Sequence, residues 1–113
     1  MNKKRRGEID GVLFSISRAK IEQDVESAAC IVEQAIDETR SIMQDEQDCL
    51  DNMPENLEGS EQYSKMEDAV DHLDDAIGSL EDAVDVMEDE GGSVDDAIPS
   101  LDEAADSLEK AKE

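Results

Sequence analysis

The sequence predicts an all-α protein, an antiparallel helical hairpin or three-helix bundle built on a seven-residue repeat. Three observations lead there. Written in sevens from Asp68, the second half reads DAVDHLD, DAIGSLE, DAVDVME, DEGGSVD, DAIPSLD, EAADSLE, KAKE, and apolar residues at such three- and four-residue steps mark one face of a helix. The only aromatic residues are Phe14 and Tyr63, so the core must be built from Ala, Val, Ile, Leu and Met, which suits helices better than a sandwich or barrel. The 113 residues amount to one small domain.

The repeat comes first because it fixes the packing. With Val70, Ile77, Val84, Ile98 and Ala105 at position a, Leu73, Leu80, Met87, Val94, Leu101 and Leu108 fall at d, and Ala69, Ala76, Ala83, Ala97, Ala104 and Ala111 at g. A g/a/d face is the broad stripe of a helix buried in a bundle. Alanine at g removes the side chains that pair across a two-stranded coil, so close antiparallel packing is expected.

Glycine and proline place the breaks. The Gly91-Gly92 pair would cost ~2 kcal/mol inside a helix and Pro99 ~3 kcal/mol. Ser93 is a good N-cap, with Asp95 and Asp96 in the first turn after it. These features predict a helix at 61–90, a turn at 91–93 and a last helix at 94–112, with one kinked continuous helix as the alternative because the repeat keeps its register across the glycines. Pro99 then either kinks the last helix or sits in its first turn.

The first half carries a weaker pattern. Val25, Ala28, Ala29, Val32, Ala35, Ile36, Met43 and Leu50 occur at helical steps, and Ile9, Val12, Leu13 and Ile16 do so in a shifted frame. The expectation is one long helix over 8–51, with any interruption near Ser15 to Ser17. Residues 51–60 connect it to the next helix: Pro54 can start a single turn, Gly59 can take a positive φ, and Ser60 can cap the helix that begins at 61.

Charge divides the chain in two. Residues 1–20 form a basic, partly apolar segment of charge +4, and residues 21–113 an acidic helical bundle of charge −27. Direct nucleic-acid binding by the acidic body is not expected, since phosphate contacts need clustered Lys and Arg. Its partners should be basic. The apolar run at 12–16 is too short for a secretion signal, and no stretch approaches the ~20 apolar residues of a membrane span. Cys30 and Cys49 are too far apart on one helix for a disulfide, and two free thiols point to a reducing, cytoplasmic setting.

The opening Met1-Asn2-Lys3-Lys4-Arg5-Arg6, the run from Asp45 through Asn52-Met53-Pro54-Glu55-Asn56-Leu57, Ser60-Glu61-Gln62-Tyr63 and the Asp68-Ala69-Val70 repeat resemble a family of small acidic helical proteins encoded by phages and other mobile elements of Gram-positive bacteria. The resemblance covers the N-terminal tag and residues 45 to about 85, with the Asn-Met-Pro-Glu-Asn-Leu stretch its most specific part. It implies a phage-type origin and carries no activity with it.

Catalytic chemistry has little to build on. His72 is the only histidine, at position c and expected to face solvent, and paired carboxylates carry no specificity in so acidic a chain. Cys30 and Cys49 read as small core or boundary residues. Counting a calcium loop from Asp89 puts Gly91, Val94 and Ser100 where an oxygen ligand, Gly and Glu are required. The expectation is a non-enzymatic protein with no metal and no cofactor.

The acidic face stands out instead. Glu67, Asp74, Glu81, Glu88, Asp95, Asp102 and Glu109 occupy e; Asp68, Asp75, Asp82, Asp89, Asp96 and Glu103 occupy f; Asp71, Asp85 and Asp106 occupy b. Three carboxylates per repeat give an axial spacing of about 3.5 Å at the 1.5 Å helical rise, against ~3.4 Å between phosphates of one DNA strand. Solvated helices usually interleave Lys with Glu, since like charges at i,i+4 cost ~0.3 kcal/mol. This chain keeps one sign. The reading is a phage-type inhibitor or decoy that mimics nucleic acid and binds a basic groove of a host nucleic-acid-binding protein; the alternative is a structural or scaffolding helical oligomer without mimicry.

A second surface is expected from helix lengths. A helix over 8–51 would span ~65 Å and one over 61–90 ~45 Å, leaving an uncovered overhang. Ile9, Val12, Leu13, Phe14 and Ile16 on it are expected to form a homodimer contact, with Lys3 to Arg6 near the partner's acidic flank. The alternative is a short separate helix, hinged near Ser15 to Ser17, that folds onto its own bundle.

Overall fold

The computed structural model describes residues 3–54, 60–89 and 92–112. Among them are four helices and no strand: α1 (Lys3–Ile21), α2 (Val25–Asp51), α3 (Glu61–Glu88) and α4 (Val94–Lys112). The all-α expectation holds. The hairpin or three-helix arrangement is corrected to four helices, because the expected long first helix is two.

The break falls at 22–24, seven residues beyond Ser15. Its cause is local and polar. The Glu22 carboxylate accepts from the Gln23 and Asp24 amides at 3.1 and 3.3 Å, while Asp24 leaves the helical region with φ −89° and ψ 116°. The Asp24 side chain then accepts from the Glu26 amide at 3.3 Å and the Ser27 hydroxyl at 2.9 Å, capping α2. Ser15 stays helical and its hydroxyl donates back to the Gly11 carbonyl at 3.2 Å.

Each helix packs against its chain neighbour, and α4 closes the ring on α1. Interhelical ion pairs give the directions. Lys20–Asp102 and Lys112–Asp10, both 2.6 Å, run α4 antiparallel to α1; Arg40–Glu81 at 2.8 Å, together with Val25 and Ala29 lying beside Met87 and Glu88, runs α3 antiparallel to α2. The result is an up-down-up-down bundle measuring 54 × 20 × 18 Å.

Packing keeps to one seam on every helix. The seam positions are Arg5, Ile9, Val12, Ile16 and Ala19 on α1; Ala28, Val32, Ala35, Thr39, Ile42, Glu46 and Leu50 on α2; Met66, Ala69, Leu73, Ala76, Leu80, Ala83 and Met87 on α3; and Val94, Ala97, Leu101, Ala104, Leu108 and Ala111 on α4, with Ile36, Ile77 and Val84 buried beside them. The seam positions advance by threes and fours, as facing helices in a bundle require. On α3 and α4 the fully hidden positions are g and d. Position a lies at the edge, with Ile77 and Val84 buried and Val70, Ile98 and Ala105 half-buried.

The ends of α3 and α4 carry their expected signals. Ser60 accepts from the Tyr63 amide at 3.2 Å, and the Ser93 hydroxyl accepts from the Asp96 amide at 3.3 Å. Between the helices Gly92 donates to the Asp89 carbonyl at 2.8 Å, and a Cβ there would collide with the Val86 carbonyl oxygen, so the turn requires glycine at this position. Pro99 lies inside α4, in its second turn and exposed, which removes the amide that would have bonded to the Asp95 carbonyl. The turn expected after Pro54 would fall on residues 55–57, outside those described. The expectations for Gly59, Glu90 and Gly91 fall on residues outside those described. No helix among the described residues is long and apolar enough to cross a membrane.

Candidate interaction faces

The repeat that buries g and d of α3 and α4 turns e, b and f the other way. In steps of 100° these three positions centre on the direction opposite the g/d seam. Glu67, Asp68, Asp71, Asp74, Asp75, Glu81, Asp82, Asp85, Glu88, Asp89, Asp95 and Asp96 are all exposed, as are Asp102, Glu103, Asp106 and Glu109.

Because α3 and α4 are antiparallel neighbours, their acidic faces lie side by side. Between them runs an open groove of about 710 Å³, walled by Asp74, Asp75, Glu81 and Asp82 from α3 and by Glu103, Asp106 and Lys110 from α4, with Gly78, Ser79 and Ser107 along it. Where α3 lies beside α4, thirteen carboxylates at e, f and b face outward. Over the ~28 Å that α4 spans, that is one per ~2.2 Å, denser than a DNA strand and short of the ~1.7 Å of a duplex.

Few cations reach this face. Arg40 pairs with Glu81, Lys20 with Asp102, and Lys112 approaches Glu109 at 3.9 Å; each of these acids is at position e. Among the described residues the f and b carboxylates from Asp68 to Asp106 form no ion pair; Lys65 pairs with Glu61 at the start of α3, and Lys110 is a cation at f. The uncompensated carboxylates are thus on the outermost ridge.

Of the two arrangements expected for the N-terminal residues, the structure shows the separate helix folded onto its own bundle, hinged at 22–24 and not near Ser15 to Ser17. Ile9, Val12 and Ile16 are buried against the rest of the bundle, Leu13 is half-buried, and Phe14 is exposed. With α1 turned back at 22–24, the overhang expected from the helix lengths does not exist. The Ile9, Val12 and Ile16 side chains are spent inside the chain's own core. Arg5 likewise points inward: its Nε donates to Glu46 Oε2 at 2.6 Å, with the two side chains 10% and 0% exposed. Burial alone would lower the Arg5 pKa, but the hydrogen bond and charge of Glu46, with a smaller contribution from Cys49, more than offset it and leave the value raised. This guanidinium remains charged inside the bundle.

The Arg5–Glu46 pair is the functional-looking feature that a reading of charge alone misses. Its signal is positional. Arg5 lies four residues before Ile9 and Glu46 four after Ile42, so both continue the seam of their helices. The Lys20–Asp102 and Lys112–Asp10 pairs have no such signal, since they require knowing that α1 packs on α4.

His72 is half-buried at the shoulder of α3, less open than position c suggests, and Cys30 and Cys49 are exposed rather than boundary residues. Among the described residues no group of three His, Cys, Asp or Glu side chains is arranged to hold a metal ion. Comparison with protein-family models, curated proteins and solved structures found no match to this chain.

Proposed function

We propose that the chain is a non-enzymatic, phage-type inhibitor or decoy whose α3–α4 face mimics nucleic acid and occupies the basic groove of a host nucleic-acid-binding protein. One observation carries the reading: two antiparallel helices present their e, b and f carboxylates together, exposed and nearly free of cations, along a common groove. A run of phosphates offers a basic groove the same things, a single sign of charge at a regular axial spacing on a narrow rod. Such an interface associates quickly through long-range attraction and is weakened by salt.

The scaffold alternative draws less support. It rests on the g/d stripes of α3 and α4 being free for another subunit, and these are covered within one chain. The test is capture of partners from a Gram-positive cell lysate at about 0.1 M and 0.5 M salt, where the Debye length falls from ~10 Å to under half that value, with mass spectrometry of the retained proteins. Nucleic-acid-binding proteins held only at low salt support the proposal. Partners held equally at both favour the scaffold.

A further inference from the structure

The outward face of α1 is unlike the rest of the surface. Lys3, Gly7, Gly11, Phe14, Arg18 and Ile21 lie within about 80° of arc at 100° per residue, on the side away from the buried Ile9, Val12 and Ile16. Phe14 is 66% and Ile21 81% exposed, and among the described residues these two are the large apolar side chains left in solvent. The face is also notched. A Cβ at Gly7 or Gly11 would meet nothing within 4 Å, so neither glycine serves the packing of its own chain, and each weakens an exposed helix.

We infer that this face binds a second copy of the chain, α1 against α1 and antiparallel, with Phe14 of each seated on Gly11 of the other. The register is self-complementary about a two-fold axis. Placing Phe14 opposite Gly11 also places Arg18 opposite Gly7 and Lys3 opposite Glu22. Each glycine notch thereby receives one long side chain, and two glycines four apart let helices approach closely. Charge selects the direction. Lys3, Lys4 and Arg6 crowd one end of α1, while Glu22, Asp24 and Glu26 lie just past its other end. A parallel pair would stack the basic ends together; the antiparallel pair sets each beside the partner's acidic turn. A membrane suits the face less well, because a body of charge −27 stands directly behind a helix in a molecule only 20 × 18 Å across. The surface differs from the acidic face of α3 and α4 and does not depend on its function.

One helix face on another is at the small end of stable interfaces, so association in the range of about 10–200 µM is expected. Sedimentation equilibrium up to about 500 µM at 0.15 M salt tests it. The expected result is a mass rising from 12.4 kDa towards twice that value. Phe14→Ala and Gly11→Leu should each weaken association about tenfold or more. Gly11→Leu should at the same time raise the melting temperature of the dilute monomer, because the added side chain projects into open space and replaces glycine in a helix. Lys3→Glu should also weaken the pair. A chain that stays at 12.4 kDa throughout overturns the inference, as does a dimer indifferent to Gly11→Leu. Phe14-dependent binding of the monomer to phosphatidylserine vesicles, without self-association, would overturn it in favour of a lipid surface.

Discussion

The α1 helix and the α3–α4 pair enter the same bundle by the same rule and present opposite exteriors. On α1 the buried steps run from Arg5 through Ile9, Val12, Ile16 and Ala19, and on α4 from Ala97 through Leu101, Ala104, Leu108 and Ala111, both as alternating fours and threes. Outside, α1 shows cations, two glycines and two large apolar residues, while α3 and α4 show carboxylates almost alone. The spacing of apolar residues thus decides the fold regardless of what the other face carries. The exterior is free to vary, and here it differs in charge and in exposed apolar content.

The sharpest break of this comparison is at the charged end of the α1 seam. Arg5→Ala or Glu46→Ala leaves a charge buried among side chains of the bundle, and each should cost about 3–5 kcal/mol in urea unfolding. The double replacement Arg5→Met with Glu46→Leu should recover most of that, because a volume-matched apolar pair removes both desolvation penalties. No position on α3 or α4 should respond this way, since their seams hold only apolar residues.

The α3–α4 pair is vulnerable instead at its turn. Gly92→Ala forces a Cβ into the Val86 carbonyl and should destabilise by more than about 1 kcal/mol, read by the same unfolding curve. The helical segments on either side should remain, so the loss appears in the midpoint and not in the far-ultraviolet signal of the folded protein.

Neutralising the outer ridge should act in the opposite direction. Asp75→Asn, Asp82→Asn, Asp96→Asn and Glu103→Gln together relieve repulsion that no ion pair among the described residues offsets at these four positions, and should stabilise by about 1 kcal/mol at ~0.3 kcal/mol each. Capture of the basic partner should fall with the same variant. Lys3→Glu on α1 should leave capture unchanged, which separates the two exteriors by function as well as by charge.

Much of this is legible in the sequence. Ser60, Ser93 and Gly92 act where their chemistry places them, because caps and tight turns are settled by a few neighbouring atoms. The α1–α2 break is harder to place because Glu22-Gln23-Asp24 contains neither Gly nor Pro, and its carboxylates stop and restart the helix by hydrogen bonds to nearby amides. Missing that one break creates the overhang and reverses the burial of Ile9, Val12 and Ile16. The shift of apolar frame between Ile16 and Val25 is its visible trace. The exposed carboxylates of the candidate face are assigned by position in the repeat, whereas pairs such as Arg40–Glu81 stay hidden because they join residues 41 apart in the chain.

The smallest expected effect tests how α1 is held to α4. Lys112 donates to Asp10, and that hydrogen bond holds the ammonium pKa above the usual lysine value. A folded-state pKa raised above the unfolded one gives stability that is full below the ordinary lysine value and lost as pH climbs through the raised value. The melting-temperature difference between the native chain and Lys112→Met should therefore be slight below the ordinary lysine value and shrink as pH climbs through the raised one.

The central claim is that the α3–α4 exterior stands in for nucleic acid, and competition tests it most directly. A partner captured through the native chain at low salt is challenged with a DNA duplex of about 20 base pairs, and release is measured against duplex concentration. The account predicts full release at concentrations near the partner's own affinity for DNA, and no capture to begin with by the Asp75/Asp82/Asp96/Glu103 variant. A partner that stays bound under saturating duplex, or that binds the neutralised variant equally well, would contradict it.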